Sequence, residues 1–448
     1  MSNEAWLERS RAAVWHPCTQ MKRHETLPLI PVARAEGVWL EDFEGRRYLD
    51  AVSSWWVNLF GHNHPRMKAA LKAQLDELEH VILAGFTHRP VVELSERLGA
   101  LTGLGHAFYG SDGASAVEIA LKMSFHFWQN RGEPGKTRFV SLENSYHGET
   151  VGALGVTDVP LFSRTYAPLL QPGLRAPSPD ARLAEAGETA ADVATRAAEG
   201  LEALLEAHAS EIAALIVEPL VQGAAGMAMY DPSYLATARR LCDRYRVHLI
   251  ADEIAVGFGR TGSLFAYQQA DILPDFVCLS KGLTGGYLPL SCVLTSDMVY
   301  QAFYDDDVTR GFLHSHSYTG NALACRAALE VLDIFASEDV LSANQARAAC
   351  FSRLLEPVAR HPSVRHFRHC GMIWAFDVET DRPDFAQAFF QAMLEEGVLL
   401  RPIGRTVYFM PPYILAPEEM QHLAAATLRT LDRLGQTTAT VDSGPALP

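Results

Sequence analysis

Five short apolar runs between residues 138 and 295 constrain the fold of this chain more than any other feature. They are Arg138–Leu142 (RFVSL), Ala213–Val217 (AALIV), Val247–Ala251 (VHLIA), Phe276–Leu279 (FVCL) and Leu290–Thr295 (LSCVLT). Each is β-branched or aromatic and near-continuously apolar, without the alternation of a half-exposed strand. Runs of this kind suit strands buried on both faces of a mostly parallel sheet with helices packed on either side. The intervening sequence supplies such helices. Residues 232–245 have Asp231 as a cap, Pro232 in the first turn, and a stripe of Leu235, Ala238, Leu241, Cys242 and Tyr245. An Ala/Glu-rich stretch at 182–208 reads as a surface helix leading into the second run.

The two flanks differ from this pattern. Near the start, GVWLEDFEGRRYLDA reads as a hairpin turning at Asp42–Gly45. After Asn321 a helical stretch (ALACRAALEVLDIF) leads to a smaller α+β pattern ending in VLLRPIGRTVYFMPP and a last helix. The expectation is an α/β protein of two domains. A large domain, residues 58–325, carries the central sheet, and a small α+β domain combines residues 1–57 and 326–448. The tail TTATVDSGPALP is expected to fray.

Composition removes several classes of function. The 53 acids outnumber 38 bases, and a net charge of −15 argues against a nucleic-acid partner or an anionic membrane surface. No apolar run approaches the ~20 residues of a membrane span, and MSNEAWLERSRAAVWHP has no apolar signal core. The seven cysteines (18, 242, 278, 292, 325, 350, 370) are odd in number and include no CxxC, so neither a disulfide framework nor a zinc knuckle is expected. A reducing, cytoplasmic location follows as the expectation.

The basic residues are unevenly chosen. Of 38, only six are lysines, and Lys281 is the single one after Lys136. It directly follows an apolar strand, in a part of the chain that otherwise uses arginine. An amine can lose its proton when desolvated and form a Schiff base, whereas a guanidinium stays charged. The following Gly282-Leu283-Thr284-Gly285-Gly286 lets backbone approach a ligand closely. Asp252 ends the strand VHLIA, 29 residues earlier, about one strand-to-strand crossover. Ligands of open α/β sheets collect at the carboxyl ends of strands. A strand-end carboxylate alone also suits a helix cap or a ribose. Paired with a strand-end lysine, it suits the pyridine nitrogen of pyridoxal phosphate.

Other candidates surround this pair. Gly110-Ser111-Asp112-Gly113-Ala114-Ser115-Ala116 opens an amphipathic helix and exposes N–H groups to an anion, without matching GxGxxG or GxxxxGK[ST]. Tyr146, in Tyr146-His147-Gly148, follows another strand and could stack on a flat ring or simply pack. Trp55-Trp56 reads as core or as pocket wall. Arg401, in LLRPIG, suits a carboxylate or a surface ion pair. His62-Asn63-His64 and His314-Ser315-His316 lack further ligands at metal-site spacing, so no metal is expected. Neither GxSxG nor HExxH occurs.

Together, ADEIAVGFGRTG (251–262), LSKGLTGG (279–286), EPLVQGAAGM (218–227), NSYHGET (144–150) and HSYTGN (316–321) resemble the class III (ω-type) aminotransferases of the fold-type I pyridoxal phosphate enzymes. The likeness runs from WHP near residue 15 to MPPY near 410. Within that family VSSWWVNLFGHNHP, WHPCT and LLRPIG resemble the branch that aminates 8-amino-7-oxononanoate for biotin, usually from S-adenosylmethionine and in one branch from lysine. The resemblance implies that Lys281 holds the cofactor and moves the proton, Asp252 pairs with the ring nitrogen, and Tyr146 stacks on the ring. It also implies that Gly113 and Ala114 bind the phosphate, with His316 and Ser317 added by the second subunit of a homodimer. Trp55, Tyr146, Lys281, Ser315 and Arg401 would line the substrate pocket. The chain departs from the best-known members at Cys18, where they carry tyrosine, and at Ser315-His316-Ser317, where they carry Gly-Pro-Thr. An ω-amino acid:pyruvate transaminase and a non-catalytic nucleotide binder are the competing readings.

Overall fold

All five apolar runs become strands of one seven-stranded sheet. The computed structural model describes residues 1–27 and 29–436, so the tail TTATVDSGPALP lies outside the described residues. Across the sheet the order is His106–Gly110, Ser291–Thr295, Phe276–Leu279, His248–Asp252, Ile212–Val217, Arg138–Leu142 and Leu174–Ala176. Every pairing from Phe276–Leu279 to Leu174–Ala176 is parallel. Ser291–Thr295 alone runs antiparallel to both of its neighbours. A parallel return needs a crossover of roughly a dozen residues, usually a helix. The short link before Ser291 is instead taken up by the helical turn Lys281–Thr284 and two glycines. The α/β class with a mostly parallel sheet therefore holds.

The two strands that sequence reading omits lie at the sheet edges. His106–Gly110 is only half-buried over its first three residues, and Leu174–Ala176 is three residues long. The helix expected at 232–245 spans Ser233–Tyr245, with Asp231 Oδ1 accepting from Ser233 N at 2.9 Å. The Ala/Glu-rich stretch becomes a helix only from Ala190 to His208. Its start is set by a reciprocal bond pair between Thr189 and Asp192, and the residues before it include the short turn Ala181–Leu183.

The hairpin forms as Trp39–Asp42 and Arg47–Asp50, and it joins a four-stranded sheet with Val32–Glu36 and Val398–Leu399. Val398–Leu399 runs parallel to Arg47–Asp50, so one small sheet joins strands from the N-terminal and C-terminal parts of the chain. A third sheet, Val364–Cys370, Ile373–Val378 and Thr406–Phe409, comes wholly from the C-terminal part. Arg260, completely buried, fastens these parts to the loop after Asp252. Its guanidinium donates to Pro411 O (2.6 Å) and Asn58 O (2.9 Å) and lies 4.8 Å from the Tyr413 ring. Gly371 packs on this loop so closely that a Cβ would come within 2.4 Å of Arg260 O. Among the described residues no helix is long and apolar enough to cross a membrane.

Lys136 is a buried lysine with a structural task. Its ammonium donates to Ala209 O (2.8 Å), Ile212 O (3.1 Å) and Arg246 O (2.8 Å), and sits 4.5 Å from the Trp128 ring. Ala209 and Arg246 end the helices Ala190–His208 and Ser233–Tyr245, so two of the three protons satisfy carbonyls at negative helix ends and the third that of Ile212, which opens a sheet strand. Lys136→Met keeps the volume and orphans those carbonyls. A loss of about 2 kcal/mol is expected, read as a lower urea midpoint; an unchanged midpoint would mean the ammonium adds nothing to folding.

Candidate active site

The acid and the amine meet at the carboxyl ends of two neighbouring interior strands. Asp252 closes its strand and pairs in register with Cys278 on the adjacent parallel strand, three residues before Lys281. Lys281 opens a tight helical turn with φ +45, a left-handed conformation that costs a residue with a Cβ roughly 1–2 kcal/mol. Gly286 allows the approach of the Val57–Asn58 backbone, which a Cβ would meet at 3.1 Å. A cavity of about 360 Å³ opens here, bordered by Lys281, Ser111, Asp112, Gly113, Gly286 and Tyr287.

Solvent exclusion governs the charges. The Lys281 amine lies 4.3 Å from the Trp56 ring. Burial lowers it to about 8, against the opposing pull of Asp252 and Glu218. Asp252 is buried; its Oδ2 accepts from His147 Nδ1 at 2.7 Å and its Oδ1 from Ile254 N at 3.2 Å. The buried His147 Nε2 has no partner among the described residues. Glu218 accepts from Tyr146 N (3.0 Å) and Gly223 N (2.9 Å), and burial pushes it up to about 7.

The glycine loop forms a cradle. Asp112 caps the helix Gly113–Asn130 by accepting from Ser115 N at 2.9 Å, while the N–H groups of Gly113 and Ala114 meet no acceptor among the described residues. Backbone crowds this point: a Cβ on Gly148 would lie 2.6 Å from Ala114 Cβ. His316 Nδ1 stands 3.5 Å from Ser111 Oγ of its own chain, and its Nε2 is buried without a partner among the described residues. Ser315 and Ser317 are exposed, and the Ser317 carbonyl accepts from His80 Nε2 at 2.7 Å. Tyr146 donates to Glu149 Oε1 at 2.9 Å and meets Phe162 edge-on at 5.6 Å. Burial raises its phenol well above the ordinary value, and Cys18 is close enough to add to that effect.

The tryptophan pair is split. Ser53, Ser54, Trp55 and Trp56 all have positive φ (51, 46, 74 and 73), forming a left-handed turn made without glycine. Trp56 turns inward: its Nε1 donates to Tyr408 Oη at 3.1 Å, and its indole packs closely on Gly223, where a Cβ would stand 3.0 Å from the ring and push it by a few tenths of an ångström. Trp55 is 45% exposed, with the Arg401 guanidinium 4.8 Å from its ring. Two residues adjacent in sequence thus face different groups, one indole an amine and the other a guanidinium.

Comparison with known proteins identifies this arrangement. The family description "Aminotransferase class-III" matches residues 20–431. The chain belongs to the class III aminotransferases. Among curated relatives of this aminotransferase, the adenosylmethionine-8-amino-7-oxononanoate aminotransferase of Helicobacter pylori is 47% identical over 431 residues, covering 94% of this chain and 96% of that one. The enzyme of the same name from Geobacter sulfurreducens is 40% identical, covering 92% and 94%. The crystal structure of the Methanocaldococcus jannaschii enzyme of that name superposes with TM-score 0.90 at 34% identity, covering 97% of this chain and all of that one. An amine transaminase from an uncultivated Pseudomonas species, solved with pyridoxal phosphate bound, gives 0.88 at 32%, covering 94% and 99%.

Pyridoxal phosphate is the cofactor of this family, and the residues present fit it. The site offers an amine able to lose its proton near neutrality, a buried acceptor-only carboxylate for a protonated ring nitrogen, and two unused N–H groups at a helix start for a phosphate. Sequence reading did not single out Glu218 or His147 as site residues, and it weighed Trp56 only with Trp55, as core or pocket wall. Glu218 had a signal, an acid directly ending an apolar strand as Asp252 does. In the cofactor-free aminotransferase the neutral amine fraction rises with pH, so trinitrobenzenesulfonate should modify Lys281 half-maximally near pH 8. A surface lysine requires roughly pH 10.4, and a midpoint there would show that the amine is not desolvated.

Proposed function

We propose that this chain transfers an amino group to 8-amino-7-oxononanoate, giving 7,8-diaminononanoate for biotin synthesis, with S-adenosylmethionine as donor and pyridoxal phosphate as cofactor. The observation that carries the reading is that one left-handed turn sets Trp56 against the Lys281 amine and its neighbour Trp55 against the exposed Arg401 guanidinium. A long aliphatic substrate ending in a carboxylate suits such an arrangement. The names of the relatives point to the same acceptor and donor.

When bound, the cofactor supplies an electron sink that lets the nitrogen leave one carbon and join another. Lys281 would hold it, Asp252 would accept from its ring nitrogen, Tyr146 would cover its ring, and Gly113 and Ala114 would donate to its phosphate. Lys281 Nζ, with its lowered affinity for a proton, would take a proton from one carbon and return it to another within each half-reaction. His147 orients the Asp252 carboxylate. Trp56 excludes water from the amine, Trp55 supports the alkyl chain beside Tyr146 and Ser315, and Arg401 binds the carboxylate. On this reading residues 58–325 hold the cofactor, and residues 1–57 with 326–448 bring Trp55 and Arg401 to it. The working unit is a cytosolic homodimer in which His316 and Ser317 of one subunit reach the phosphate of the other. The exposed Leu313 (78%) and Tyr318 (64%), flanking those residues, support a surface that a second copy covers.

The purified protein should be yellow with pyridoxal phosphate, and Lys281→Ala should abolish both the visible band and turnover. S-adenosylmethionine alone should bleach that band; bleaching by lysine alone would reassign the donor. Arg401→Ala should raise KM for 8-amino-7-oxononanoate about 10- to 100-fold with a smaller change in kcat. An unaltered KM would remove Arg401 from the pocket.

A further inference from the structure

Asp50 touches neither the cavity nor the groups assigned to the chemistry, yet four hydrogen bonds converge on its carboxylate beneath the left-handed turn. We propose that Asp50 is a positioning residue for the reaction: its carboxylate holds Ser53–Trp56 in the turn that sets Trp56 against Lys281 and Trp55 against Arg401. The proposal rests on the roles given above to Lys281 and Arg401.

Asp50 is 0% exposed and ends the strand Arg47–Asp50, where its own N–H donates to Val38 O at 2.8 Å. Oδ1 accepts from Ser54 N (2.9 Å) and Val52 N (3.3 Å). Oδ2 accepts from Ser54 Oγ (2.7 Å) and His62 Nε2 (3.0 Å). His62 Nδ1 in turn accepts from Asn58 Nδ2 at 3.3 Å, which leaves the ring proton on Nε2 to face the carboxylate. The backbone bonds inside the turn, Trp56 N to Val52 O (2.8 Å) and Val57 N to Ser53 O (3.0 Å), do not distinguish hand by themselves. Four consecutive residues with Cβ atoms persist in this hand only where the surroundings over-determine it. Both carboxylate oxygens are used as acceptors, each from two donors. Asparagine at this position keeps the volume but turns an NH2 group toward two donors, so it breaks the clamp without opening a cavity. Ser53 Oγ, donating to Met410 O at 2.7 Å, anchors the other side of the turn.

The test compares Asp50→Asn, alone and with Ser54→Gly, in the holoenzyme and in the cofactor-free protein. Amide exchange of peptides spanning residues 52–58 should speed up at least about tenfold in Asp50→Asn, and KM for 8-amino-7-oxononanoate should rise more than kcat falls. Glycine adopts the left-handed conformation without the Cβ penalty. Adding Ser54→Gly should therefore recover most of the lost KM, which a purely structural role of Asp50 does not predict. Unchanged exchange in Asp50→Asn overturns the proposal. So does an unchanged KM in a protein whose Arg401→Ala variant does raise it, or a failure of Ser54→Gly to recover KM. Should Asp50→Asn not fold, Ser54→Ala removes only the Oγ bond and decides instead: faster exchange supports the clamp, unchanged exchange overturns it. If the wild type does not turn over 8-amino-7-oxononanoate, the functional reading fails, and exchange in the cofactor-free protein decides for or against the clamp.

Discussion

An ammonium group in water has no reason to give up its proton at neutral pH, and the chemistry assigned to Lys281 depends on taking it out of water. Burial does this, with the indole of Trp56 4.3 Å from the amine, while Asp252 and Glu218 pull the other way and keep its proton affinity from falling further. Burial and charge are balanced at one atom. Much of the surrounding structure bears on that balance: the register of two parallel strands brings Asp252 beside the lysine, and the missing Cβ of Gly223 lets the indole pack closely.

The site is assembled from distant parts of the chain, so its precision depends on fasteners between them. Arg260 ties the loop after Asp252 to Asn58 and Pro411. Trp56 is tied to Tyr408 and Ser53 to Met410, each across more than 350 residues of sequence. Among the described residues no carboxylate is hydrogen-bonded to Arg260; backbone carbonyls accept from its two terminal nitrogens, the Tyr413 ring lies beside the guanidinium, and its Nε is buried without a partner. A guanidinium that bonds backbone rather than side chains fixes the path of the main chain, which is what a site shared between chain segments needs.

The legible parts share a local cause. Lys281 and Asp252 could be found because each directly follows an apolar run, and the end of a strand in a parallel sheet is where ligands bind. The loop before Gly113 could be found because its small residues and the amphipathic helix after it are contiguous. Scarcity of lysine was a weaker guide than it looked. Lys136 is also held away from solvent, yet it closes two helix ends and belongs to the fold. The edge strands His106–Gly110 and Leu174–Ala176 escaped notice because an edge needs less apolar surface and so leaves a fainter pattern.

Sequence by itself determined the α/β class, the strands of the sheet interior, the family and the positions of the amine and its acid, because periodicity and strand ends are properties of neighbouring residues. Tertiary structure alone decided that Trp56 faces the lysine while Trp55 faces Arg401, that Glu218 and His147 stand beside Asp252, and that Asp50 lies under a left-handed turn. Backbone handedness in a stretch without glycine is set by contacts, here a buried carboxylate and partners more than 350 residues away. No local pattern in the letters SSWW records them.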